Sequence, residues 1–98
     1  MVPPNVHETT EFMSRVSAVP GLRNAVIRFL TNWPDKGQRI CGTLQKVDVP
    51  FDGHSYTVLV RRANQVFSVL GIYVLPAEEK AFDLRVEKLR SVFCRGQQ

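Results

Sequence analysis

An α+β domain is the fold class this sequence predicts: an antiparallel β-meander of three or four strands, flanked by an N-terminal helical segment and a C-terminal helix. Three stretches predict it. Val66-Phe67-Ser68-Val69-Leu70-Gly71-Ile72-Tyr73-Val74-Leu75 is an apolar run whose β-branched and aromatic content favours a strand. Asp52-Gly53 separates two alternating segments and suits a two-residue type I′ hairpin. Phe82, Val86, Leu89 and Phe93 recur at helical spacing.

With 98 residues there is room for one domain, 1–98, in which 1–6 form a loose lead-in and 97–98 a tail. Apolar residues at 44% and charged residues at 22% exclude a disordered chain. No basic segment followed by an apolar one opens the chain, and no run is long enough to cross a bilayer as a helix. A cytoplasmic location follows as the expectation. Cys41 and Cys94 do not make a disulfide framework. Two partly buried thiols in a reducing compartment are expected, with a single pair closing a long loop as the alternative.

From His7 the pattern becomes helical, with Phe12, Val16 and Val19 on one side and Glu8 and Glu11 in the first turns. Pro20-Gly21 bends or breaks this path. Leu22–Trp33 fits a helix through Leu22, Val26, Phe29/Leu30 and Trp33, and fits a strand face almost as well; helix is preferred for its longer stripe. Trp33-Pro34-Asp35-Lys36-Gly37 ends it with turn residues. A first strand is expected over Arg39–Val49 and a second over His54–Arg61. The hairpin then sets Val49 opposite Tyr56, Val47 opposite Val58, Gln45 opposite Val60 and Leu44 opposite Arg61. Ala63-Asn64 is the expected second turn, pairing Val60 with Phe67 and Val58 with Val69. Pro76 suits the first turn of the last helix, Glu78 and Glu79 favour its positive end, and Arg95-Gly96 would close it.

Strand alternation then gives the sheet two apolar faces. One carries Val47, Val49, Tyr56, Val58, Val60, Phe67, Val69 and Tyr73. The other carries Ile40, Leu44, Leu59, Leu70, Ile72 and Val74, with Lys46 at its margin. One helix covers one face, so the second needs the N-terminal half or another molecule. Leu44, Leu59, Leu70, Ile72 and Val74 are therefore the candidate partner-binding residues, in a homodimer or with another protein, across the apolar face or at an edge strand.

No constellation announces a reaction. His7 and His54 are far apart and lack Cys, Asp or Glu at ligand spacing, and the glycines are scattered singly. Cys94 beside Arg90 and Arg95 reads as an incidental helix thiol, and Glu78, Glu79 and Asp83 as a solvated helix face. No catalytic residue, metal or cofactor is expected, and the chain reads as a non-enzyme. A charge of +4 and a pI near 9.5 keep RNA as the alternative partner. Lys46, Arg61 and Arg62 are its candidate contacts, with Tyr56 and Tyr73 as stacking rings. Edge protection and ordinary core packing are the simpler readings of these residues.

Gly53-His54-Ser55-Tyr56-Thr57-Val58-Leu59-Val60, Gln65-Val66-Phe67-Ser68-Val69-Leu70-Gly71 and Phe82-Asp83 through Ser91-Val92-Phe93 resemble the end of the PsbP-like/DcrB-like α/β/α sandwiches. That resemblance implies strands ahead of the first helix and a non-enzymatic role binding a partner protein, as in photosystem accessory subunits or effector chaperones of secretion systems. It implies no site residues. The order helix, three strands, helix is also similar to that of the Alu-domain subunits of the signal recognition particle and of double-stranded-RNA-binding domains. The lysine-rich segment that double-stranded-RNA binders carry at the last helix is replaced here by the acidic Pro76-Ala77-Glu78-Glu79-Lys80.

Overall fold

The computed structural model describes residues 5–32 and 37–94. All but Gly37 of the expected turn at Trp33–Gly37, the Arg95-Gly96 close, the 97–98 tail and the first four residues of the lead-in lie outside them. The elements run β1 (Asn5–Glu8), α1 (Thr10–Val16), α2 (Leu22–Thr31), β2 (Gln38–Cys41), β3 (Leu44–Phe51), β4 (His54–Ala63), β5 (Val66–Ile72) and α3 (Glu79–Phe93), with a short 3-10 turn at Pro76–Glu78. They form one five-stranded sheet in the order β1-β5-β4-β3-β2. The α+β class holds, but the sheet is mixed. β2 to β5 make an antiparallel meander, whereas β1 lies parallel to β5.

β1 replaces the last two residues of the expected lead-in and the start of the expected first helix. Thr9 marks the true helix start. Its hydroxyl accepts from the Phe12 N–H at 3.3 Å and donates to the Val69 carbonyl at 2.7 Å, so one side chain caps α1 and fastens it beside β5. Gly21, at φ +83°, turns the chain into α2. Leu22, Val26 and Leu30 of α2 are buried, which resolves the ambiguous segment as helix.

The strand expected over Arg39–Val49 is two strands. Gly42-Thr43 turns between them, with Gly42 at φ +47° and Cys41 opposite Leu44. Asp52 (φ +51°) and Gly53 (φ +78°) make the expected type I′ turn, and the β3–β4 register agrees at every expected pair. The next turn is Asn64-Gln65 (φ +52° and +66°), one residue later than expected. Val60 therefore pairs with Val69, not Phe67, and Val58 pairs with Ile72.

That last pairing reflects a β-bulge. Leu59 is opposite Gly71 while Val60 is opposite Val69, leaving Leu70 as the extra residue. The bulge reverses the alternation of β5 from there on. Ile72 and Val74 join Val47, Val49, Val58, Val60 and Val69 under α1 and α2. Tyr73 crosses to the opposite cluster of Leu44, Leu59, Leu70, Phe82 and Val86 beneath α3. Each face thus has a lid from the same chain.

Candidate partner-binding surfaces

The five residues expected to bind a partner do not form a surface. Leu44 and Leu59 are fully buried, Leu70 and Ile72 are 7% and 3% exposed, and Val74 is half-buried. α3 covers the first three, and the N-terminal helices pack over Ile72 and Val74. The expectation of a second molecule on an apolar sheet face is corrected on both counts. The bulge splits the set between faces, and the lids are internal.

The basic residues considered for RNA are likewise separated. Lys46 lies with its Nζ 5.9 Å from the Phe82 ring centroid, and the Arg61 guanidinium lies 4.6 Å from that of Phe93. Both are on the α3 side. Arg62, opposite Phe67 in the register and 5.4 Å from its ring, is on the other. Tyr73 packs edge-on against Phe82 at 5.0 Å. Arg15 and Arg23 engage Glu78 at 2.9 Å and Glu8 at 2.6 Å. Among the described residues no three His, Cys, Asp or Glu side chains are placed to hold a metal ion, and no helix is long and apolar enough to cross a membrane.

Two polar devices lock α3 and the turn before it to the sheet. The bulge takes the Leu70 carbonyl out of the regular ladder, and the Arg85 Nε donates to it at 2.6 Å. The Arg85 side chain passes close over Gly71, where a Cβ would lie in van der Waals contact with it, 3.4 Å from Cδ. Glu78 accepts from the Val74 and Leu75 N–H groups at 2.9 and 3.1 Å through one oxygen and from Arg15 through the other. The two backbone bonds foremost, and Arg15 after them, hold its carboxyl below the usual glutamate range. A third device is covalent. Cys41 at the end of β2 is disulfide-bonded to Cys94, the C-cap of α3, with 5.6 Å between the Cα atoms. The pair settles the open cysteine question in favour of the long loop. No motif announced it, because the two residues lie 53 positions apart.

Among the described residues, the far half of β3 has no strand on its outer side. The β2 ladder reaches only to Gln38 opposite Lys46, while β3 continues to Phe51. No described strand pairs with the outer side of β3 beyond Lys46. Since Phe51 and His54 close a two-residue turn, the odd residues of β3 bond to β4. The N–H of Asp48 and the carbonyls of Asp48 and Pro50 consequently point outward. Pro50 has no N–H to offer, which limits pairing at this edge. Alongside runs a groove of about 620 Å³, walled by Phe29, Tyr73 and Phe82. Its charged residues are Asp48, Glu79 and Asp83 against Lys46, so it is acidic on a basic protein. The Asp48 carboxylate accepts from the Thr57 hydroxyl at 3.0 Å. No family model, curated protein or solved structure matches the chain.

Proposed function

We propose that the chain is a non-enzymatic protein-binding or accessory module that takes an extended, basic segment of a partner protein along the outer side of β3. The observation that carries this reading is the coincidence, at one place, of a strand edge left without a partner strand among the described residues, an aromatic wall and an acidic lining. An added strand would bond to Asp48 and the Pro50 carbonyl and lay alternate side chains into the groove. Charge favours a cationic segment and disfavours nucleic acid there, where phosphates would meet Asp48, Glu79 and Asp83. The resemblance to PsbP-like/DcrB-like accessory proteins accords with this, and β1 ahead of α1 supplies a leading strand of the kind it implies. The Cys41–Cys94 bond supports an oxidising compartment over the cytoplasm expected for free thiols.

Fluorescence anisotropy against unstructured decapeptide pools, basic and acidic, and against a single-stranded RNA oligomer tests the reading. The basic pool should bind, weaken with salt, and be lost in Asp48→Lys/Asp83→Lys with the melting temperature unchanged, both residues being exposed. Binding of the RNA oligomer alone, sensitive to Arg61→Ala/Arg62→Ala, would overturn it, as would no binding of any pool.

A further inference from the structure

The C-terminal half of α3 is attached differently from its N-terminal half. Phe82 and Val86, in the first two turns, are buried, and Arg85 bonds to the Leu70 carbonyl. Beyond them Leu89 and Phe93 are only half-buried, Arg90 and Ser91 face solvent and Val92 is 59% exposed. Yet this half covers Leu44, which has no exposure at all, together with Ile40. It also covers Arg61, whose Nε is buried and has no hydrogen-bond partner among the described residues. Withdrawing that Nε from water opposes closure of this end. The covalent link to Cys41 falls at the same end, and both of its cysteines are half-exposed, within reach of an attacking thiolate.

We infer that the Cys41–Cys94 disulfide is a redox-operated clasp on the last two turns of α3: closed, it holds residues 87–94 over Leu44 and Arg61; opened by a dithiol, it lets them lift away while residues 79–86 stay docked. The exchange balances. A thiolate of the dithiol attacks one sulfur and the Cys41–Cys94 bond breaks. The second thiol resolves the mixed disulfide, so two electrons and two protons pass to the protein, leaving two cysteine thiols and an oxidised dithiol. Opening uncovers Ile40, Leu44 and the Arg61 guanidinium on β2 to β4, and it returns the Arg61 Nε to water. The clasp is independent of the groove beside β3, because it acts at the opposite end of α3.

Amide hydrogen exchange read by mass spectrometry separates the outcomes, using the full chain oxidised, the same chain in dithiothreitol, and Cys41→Ser/Cys94→Ser. In both states that lack the disulfide, exchange over residues 87–94 should rise at least about tenfold with 79–86 and β3–β5 unchanged, and reoxidation of the wild type should restore it. Equal protection of 87–94 in oxidised and reduced protein would overturn the inference. So would simultaneous loss of protection across the sheet, which would make the bond a global staple. Full alkylation of the air-oxidised protein at both cysteines would equally overturn it.

Discussion

Glu78 shows how one side chain can carry several structural duties. It receives two backbone N–H groups at the end of β5 and the Arg15 guanidinium from α1, tying the turn before α3 to the opposite layer. A carboxyl whose folded pKa is depressed stabilises the fold above its unfolded value and loses that contribution as pH falls through the folded one. The stability difference between wild type and Glu78→Gln should therefore be full at neutral pH and shrink steadily below about pH 4, the unfolded glutamate range. Urea denaturation at several pH values measures it. None of this was legible beforehand. Glu78 reads as one of several acids at a helix start, and its partners Val74 and Arg15 come within reach only through the tertiary fold.

β5 is where the sequence pattern was most informative and also most deceptive. Its ten-residue neighbourhood is apolar at both parities, so periodicity announces a strand sandwiched between two layers but conceals a frame shift within it. Leu70, Ile72 and Val74 would share a face in an unbroken strand; the bulge at Leu70 separates them. Arg85 makes the bulge tolerable by satisfying the displaced carbonyl. Arg85→Met keeps most of the stem packing and removes the donor, so it should cost about 1–3 kcal/mol, seen in thermal or chemical melts. β1 was illegible for another reason. Asn5-Val6-His7-Glu8 has one apolar residue and no alternation to read; it becomes a strand because β5 offers it a free parallel edge. The turn and register of the β3–β4 hairpin were legible, because Asp52-Gly53 fixes the turn by local sterics alone, whereas the strand ends were not: β3 starts at Leu44 and β4 runs on to Ala63.

In the assembled molecule both apolar faces are closed by helices of the same chain, which removes the need for a second copy to hide them. Leu70→Asp or Ile72→Asp places a carboxylate among residues with almost no exposure, at a cost of about 3–5 kcal/mol, a large fraction of a small domain's stability. Circular dichroism should show each variant partly or wholly unfolded at 25 °C. A folded variant that merely shifted from dimer to monomer in sedimentation would contradict this packing.

The parallel pairing of β1 with β5 also imposes an order of events on a growing polypeptide. Thr9, the residue that follows β1, bonds to the Val69 carbonyl 60 positions further along. At ribosomal speeds of about 5–20 residues per second, the first strand waits roughly three to twelve seconds for its neighbour. The hairpins from Gln38 onward can zip up by local contact in the meantime, but the edge of β5 stays vacant until that distant tetrapeptide returns to claim it.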